Sequence, residues 1–289
     1  MEGRDLNPTD RSLMKAITAI GIGATFAVLL LAVKMEGGNP MAFINIPAFL
    51  IVIGGTAGVT IASTNASMMG TSVKVAKIAF AGVEIDHVAA SKQMIYLANK
   101  ARKEGLLALE KDIEQVDDHY ARKGLQLVVD GADSDLVRAI LQSEIDGLAE
   151  RHKNNARFFS TAGGFAPTLG ILGTVMALVH VLENLDEPAA LGPAISGAFI
   201  ATLYGVGSAN LIFLPLSNKL KEMSSAEVDY RTMLLEGILS IQAGDNPRLL
   251  AEKLETFISP AARAAAAASP EPKRADVKVP ALQVETEEA

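Results

Sequence analysis

Five hydroxyl side chains, Thr168, Thr174, Ser196, Thr202 and Ser208, recur at spacings near six within two long apolar runs. Residues 158–182 read FFSTAGGFAPTLGILGTVMALVHVL and residues 191–215 read LGPAISGAFIATLYGVGSANLIFLP. A hydroxyl in such a run can help solvate a passing cation, or it can donate back to a carbonyl one turn earlier in its own helix. The spacing falls between one and two helical turns, so the hydroxyls drift around the helix and do not all share one face. Neither run contains Asp, Glu, Lys or Arg. A proton or sodium relay at membrane depth normally uses a carboxylate, so a cation path built on these hydroxyls has to borrow one from another chain. Pro167 and Pro215 each remove a backbone donor, which kinks a helix or provides a hinge.

Other chemistry finds little support. His87, His119, His152 and His180 are scattered, and none has a second ligand at metal-binding spacing. Only His180 lies inside an apolar run, where helix packing and ion handling are the two uses open to it. There is no Gly-rich phosphate loop, GxSxG elbow or HExxH motif, so neither an enzyme nor a bound cofactor is expected. The absence of cysteine removes disulfide and thiolate chemistry. A net charge of −7 and no separate basic block exclude nucleic acid as the expected partner.

The elements that carry these residues read as membrane helices. Over 289 residues the chain is 49% hydrophobic with a mean hydropathy of +0.28, and the excess falls in four segments. Residues 16–33 and 41–63 form a first hairpin, while 158–182 and 191–215 form a second, joined by a link containing Glu183, Asp186 and Glu187. Each is close to the roughly 20 apolar residues that a bilayer crossing requires. The first run exceeds a signal-peptide core and lacks a small-residue cleavage site, so a retained span is expected. Arg4, Arg11 and Lys15 precede span one, Lys and Arg are frequent over 65–156, and Lys219, Lys221 and Arg231 follow span four. The positive-inside rule then places both termini and the middle segment in the cytoplasm. Glycines stud the spans, among them a GxxxG from Gly54 to Gly58, and small residues of this kind let helices approach closely.

The expected fold class is all-α, a polytopic membrane protein with four transmembrane helices and a cytoplasmic helical domain. The divisions are 1–64 for the N-terminal region and first hairpin, 65–156 for the cytoplasmic helices, 157–216 for the second hairpin, 217–259 for C-terminal cytoplasmic helices and 260–289 for a disordered tail. Helices are expected over Asp86–Lys103, stopped by Gly105, then over 106–116 and 118–129, the last ended by Gly131. Asp133 or Ser134 caps the next helix, which lacks a breaker before Gly163 and so runs on into the third span. Residues 219–242 form a further amphipathic helix, and Pro247 suits the first turn of a final one.

With these residues in place, the run from Ala166 to Leu220 resembles the third and fourth transmembrane helices of the MotA/PomA subunits of the flagellar stator. The similarity extends to IPAFLIVIGGTAG in span two, LANKARKEGLLALEKDIE in the middle segment and GDNPRLLAEKL near the end, covering roughly residues 13–258. The related ExbB/TolQ subunits usually have three spans and lack the first hairpin. The resemblance implies a homo-oligomeric ring, held to be a pentamer, in the bacterial inner membrane. The ring surrounds a dimer of a single-span MotB/PomB-type partner whose transmembrane Asp carries H+ or Na+, and its cytoplasmic helices push on the rotor protein FliG.

Carried over position by position, Arg102 and Glu110 match the family's rotor-facing arginine and glutamate, with Lys103 in the same basic patch. From the sequence pattern alone both are solvated charges on amphipathic helices. Sodium-type members often place a second acid after the glutamate, where this chain has Lys111. Pro167 and Pro215 match the prolines that couple ion transfer to movement, and Thr174 and Thr202 the hydroxyls near the ion site. Threonine at position 174 leans toward sodium, although hydroxyls can line a proton path equally well. An ExbB/TolQ-like energiser of another envelope process and a non-conducting membrane scaffold are the alternatives.

Overall fold

The computed structural model describes residues 8–64, 66–81, 85–183, 185, 186 and 188–268. Every regular element among them is helical. In chain order these are α1 (Pro8–Met35), a 3-10 turn (Pro40–Phe43), α2 (Ile46–Phe49), a π-helical turn (Leu50–Gly54), α3 (Gly55–Ala62) and α4 (Ala66–Ala81). Then come α5 (His87–Glu104), a 3-10 turn (Leu106–Leu109), α6 (Glu110–Ile113), α7 (His119–Val129) and α8 (Ser134–Glu183). The chain continues with α9 (Pro188–Ser208), a second π-helical turn (Ala209–Phe213), α10 (Leu214–Ala243), α11 (Pro247–Glu255) and α12 (Pro260–Ala268).

Local signals in the sequence account for most boundaries. Asp86 caps α5 by accepting from the Ala89 N–H at 2.9 Å, and the helix stops at Gly105, whose φ of 87° suits only glycine well. Asp118 caps α7 in the same manner at 2.8 Å, and Gly131, with φ 78°, turns the chain before α8. Asp133 accepts from the Asp135 N–H at 2.9 Å, the start expected for the long helix. Asn246 caps α11 with Pro247 in its first turn.

The described residues divide into two compact units, and both long helices α8 and α10 contribute to each. One comprises 85–151 and 223–268. Its core joins Met94 and Leu97 of α5, Leu125 of α7, Leu141 and Ile145 of α8, and Met233, Leu234 and Ile238 of α10, all at most 2% exposed. The other comprises 8–81 and 152–222 and holds two smaller clusters. Val75 and Ala79 of α4 pack with Ala156, Phe159, Leu216 and Leu220, while Ala48 and Val52 pack with Ile200 and Ala201.

Helix α8 continues unbroken for 50 residues from the middle segment through the third apolar run, as its sequence predicts. By length and composition Ser134–Glu183 and Leu191–Ala243 suffice to cross a membrane, whereas Ala19–Met35 and Ile46–Ala62 are shorter apolar helices. The structure differs from expectation in three places, the first being 106–116, where a 3-10 turn, Leu106–Leu109, and the single turn of α6 replace one helix. The segment expected as a single span over 41–63 is divided into a 3-10 turn, α2, a π-helical turn and α3, because Asn45 caps a fresh helix with Pro47 in its first turn. The expected disordered tail begins instead with α12, where the alanine run's helix propensity prevails; residues 269–289 lie outside the described residues, as do Asn184 and Glu187 of the acidic link.

Candidate ion-path site and charged surface

In the second unit the two sequence-predicted hydroxyls meet. Thr174 of α8 and Thr202 of α9 place their Oγ1 atoms 2.5 Å apart. The Thr174 oxygen also lies 3.0 Å from the Gly170 carbonyl and 2.9 Å from that of Ala198. One hydroxyl has a single proton, so with Thr174 donating to a carbonyl, Thr202 donates to Thr174. Four oxygens from two helices thus converge with no charged group among them. Thr168 and Ser208 instead donate within their own helices, to Phe165 at 2.7 Å and Gly205 at 3.2 Å.

Glycine makes this approach possible. A Cβ on Gly205 would lie 2.6 Å from the Ala166 carbonyl oxygen and 2.9 Å from the Gly170 Cα. A Cβ on Gly170 would in turn meet Ala201, Thr202 and Gly205 backbone atoms at 3.0–3.3 Å. Backbone therefore packs on backbone at the level of the hydroxyl pair, the small-residue contact expected between membrane helices. Behind it, Ile51 of the first π-helical turn lies 3.3 Å from the position of a Cβ on Gly173, beside Thr174.

Residues near the two prolines, Gly163 and Leu214, pack closely. Pro167 has no N–H for the Gly163 carbonyl one turn back, yet α8 continues through it. At Gly163 a Cβ would meet Leu214 Cδ2 at 2.7 Å, and Leu214 immediately precedes Pro215. Pro215 likewise leaves the Leu211 carbonyl without its i+4 donor, and α9 widens into the π-helical turn Ala209–Phe213 directly before it. The departure from regular α-helix thus lies before Pro215, while α8 stays α-helical through Pro167.

Two polar features of this unit escaped the sequence reading. Tyr204 donates from its hydroxyl to the Phe43 carbonyl and accepts from the Asn45 N–H at 3.2 Å, fastening α9 to the chain entering α2. The Tyr204 ring stands edge-on to Phe49, with centroids 6.4 Å apart. Thr56 and Thr60 are each 1% exposed, and their hydroxyls have no partner among the described residues. Thr25, Ser63 and Thr64 nearby satisfy themselves on carbonyls four residues earlier.

The predicted charged residues lie in the first unit. Arg102 and Lys103 occupy the exposed last turn of α5, and Glu110 is exposed at the start of α6. Arg102 and Lys103 line one cleft with Asn99, Asn246 and Arg248, the last from the first turn of α11; Glu110 is not part of that lining. Arg248 was missed because only the packing of α11 on α5 brings it there. None of these four charges has an ion-pair partner among the described residues, whereas Lys100, Lys123, Arg138 and Lys253 pair with Asp112, Glu144, Glu236 and Glu236.

In the same unit Arg231 is 5.3 Å from the Tyr120 ring centroid, 3.0 Å from Glu227 and 3.6 Å from Glu144, joining α7, α8 and α10. Burial raises the Asp118 carboxyl above its usual range, although the Ala121 N–H and Arg231 partly offset it. Burial likewise lowers His87, which stands edge-on to Tyr230 with Asp229 and Asp86 opposing the shift. His180 lies 3.9 Å from Glu183. Among the described residues no group of three His, Asp or Glu could hold a metal ion.

Comparison with known proteins completes the assignment. Residues 112–233 match the MotA/TolQ/ExbB proton channel family. Motility protein A of Borreliella burgdorferi is 37% identical over 247 residues, covering 86% of this chain and 95% of its own. Chemotaxis protein PomA of Vibrio alginolyticus is 34% identical over 251 residues, covering 87% and 98%. Among solved structures, the flagellar MotAB stator complex from Bacillus subtilis superposes with a TM-score of 0.80 at 34% identity, covering 86% of this chain and 98% of that one. The chain belongs to the MotA/PomA family of flagellar motor stator subunits, within the MotA/TolQ/ExbB proton channel family.

Proposed function

We propose that this stator subunit crosses the bacterial inner membrane four times, with both termini cytoplasmic. In this scheme it forms a pentameric ring around a dimer of a MotB/PomB-type single-span partner, and passage of H+ or Na+ turns the ring against the rotor protein FliG. It is an ion-channel subunit and not an enzyme. The observation that carries the ion-path assignment is the Thr174–Thr202 hydroxyl pair, 2.5 Å apart in spans that contain no Asp, Glu, Lys or Arg. Such a site offers neutral oxygens to a cation but no charge to hold it, so the partner's transmembrane Asp supplies the charge.

Pro167 and Pro215 serve as the coupling hinges, their neighbourhoods joined at Gly163 and Leu214. Arg102, Lys103 and Glu110 form the rotor contact, with Arg248 added to the basic side by its place in the same cleft. Their exposure and their lack of ion pairs among the described residues leave their charges available to a partner.

Cation flux into proteoliposomes tests the scheme. The chain with its single-span partner conducts, and the chain alone does not; conductance by the chain alone would overturn the borrowed carboxylate. Reversing charge with Arg102→Glu and Glu110→Lys abolishes rotation while leaving the ring assembled, and normal swimming of that double variant would remove the rotor assignment. Swimming speed measured as sodium varies at fixed proton-motive force identifies the ion, a flat response excluding sodium.

A further inference from the structure

Resting on the rotor-contact assignment above, we propose that Leu107 is the apolar anchor of that contact. It fits an apolar socket on the rotor protein flanked by an acid facing Arg102 and Lys103 and a base facing Glu110. Leu107 is 74% exposed, more than any other leucine described as exposed. In the first unit the other exposed large hydrophobics are Tyr96, Leu136 and Leu249, and none of them lies between the charges. The side chain's position follows from the local geometry. Gly105, at φ 87°, ends α5 and starts the 3-10 turn Leu106–Leu109. Three residues per turn align Leu106 with Leu109, and both pack on the core, Leu109 fully buried and Leu106 partly. Leu107 is then directed away from that core.

Its setting identifies what covers it. In sequence Arg102 and Lys103 precede it by five and four residues, across the Gly105 turn, and Glu110 follows it by three at the start of α6. All three are exposed and without an ion-pair partner among the described residues, and with the exposed Glu104 and Lys111 beside them they set Leu107 between a basic pair and an acid on a surface of mixed charge. A surface with complementary charges in the same order meets all of them at once. Exposed ion pairs alone give a weak contact, each worth less than roughly 5-fold in affinity, whereas burying one leucine is worth on the order of 10- to 100-fold. In this contact the charges set orientation and Leu107 supplies most of the holding strength.

The test uses the whole stator, this chain with its single-span partner, bearing Leu107→Ser, Leu107→Met or Arg102→Glu, and binding to purified rotor protein at low and high salt. Leu107→Ser is expected to weaken binding about 10-fold or more and to remove the part of binding that persists at high salt, where charge is screened. Leu107→Met, with similar volume, stays within about 3-fold of the unmodified chain. Ring size and melting temperature should not change with either. Binding of Leu107→Ser within 2-fold of the unmodified chain, while Arg102→Glu abolishes it, overturns the anchor and leaves the rotor assignment standing. Undiminished binding with Arg102→Glu overturns the rotor assignment itself. Loss of the ring on Leu107→Ser would place the residue between copies of this chain and also refute the proposal.

Discussion

Replacing Gly205 with alanine tests whether helix approach sets the hydroxyl pair. The added Cβ would lie 2.6 Å from the Ala166 carbonyl oxygen and 2.9 Å from the Gly170 Cα, backbone atoms that no rotamer change can move. Ordinary contact begins near 3.4 Å, so α8 and α9 must separate by about 0.8 Å at this level. Thr174 lies one turn after Gly170 and Thr202 one turn before Gly205, so the 2.5 Å oxygen contact widens to about 3.3 Å, beyond the usual O–H···O range. Overpacking of this kind costs about 1–3 kcal/mol, and a lost hydroxyl bond about 1 kcal/mol more. Gly207→Ala provides the control, since nothing in the protomer lies within 4 Å of its added Cβ and alanine favours the helix. The readouts are the melting temperature of the detergent-solubilised complex and its cation flux in proteoliposomes. Gly205→Ala should lower both, flux by several-fold, and Gly207→Ala should lower neither. Unchanged melting and flux in Gly205→Ala would refute the claim that this backbone contact sets the oxygen geometry.

Other substitutions probe features that lie outside the hydroxyl pair. Tyr204→Phe removes the hydroxyl that donates to Phe43 and accepts from Asn45, and the complex should lose about 1–3 kcal/mol of stability in a thermal melt, because a carbonyl and an N–H are left unpaired. Thr56→Val and Thr60→Val replace buried, unpartnered hydroxyls with methyl groups of like shape, so each should raise the melting temperature; a fall would mean the hydroxyls have partners in the assembled complex. His87, lowered from 6.5 by burial, favours its neutral form in the fold. The stability it contributes is therefore present above 6.5 and lost as pH falls through the lowered value, so melting should weaken on acidification below 6.5, and less so in His87→Gln.

Much of the helical plan was legible because it rests on local rules. Asp133 caps α8 as expected and Gly105 and Gly131 stop helices at positive φ, while Asp86 and Asp118, expected as first residues of their helices, cap them instead. The continuity of α8 followed from the lack of a breaker before Gly163. Features that depend on distant residues were not legible. Thr174 and Thr202 lie on different helices, and spacing within each run does not reveal that the Gly170–Gly205 approach brings them together. Arg248 joins Arg102 and Lys103 only through the packing of α11 on α5. The division of 41–63 was written locally in Asn45 and Pro47, but the apolar run around them outweighed that signal. In 260–268 the alanines lack apolar bulk, yet intrinsic propensity is enough for a helix.

The uncharged character of the hydroxyl site follows from how such a chain must fold. A lone carboxylate at the centre of a membrane helix costs about 2.5–3.5 kcal/mol on insertion scales, and it stays unpaired until a partner arrives. A threonine avoids this cost because it can rest on its own backbone. Thr174 has that option here, with the Gly170 carbonyl of its own helix at 3.0 Å, and a second acceptor in the Ala198 carbonyl of α9 at 2.9 Å. In the proposed path each oxygen can turn a lone pair toward a cation while the Thr174 proton keeps its carbonyl acceptor and the Thr202 proton keeps Thr174, so the exchange breaks few bonds. On the proposed scheme the charge is confined to the single-span partner. A carboxylate placed at position 174 would be expected to impair insertion of this chain alone and to be rescued only poorly by co-expression, since the partner's aspartate would then face a second negative charge.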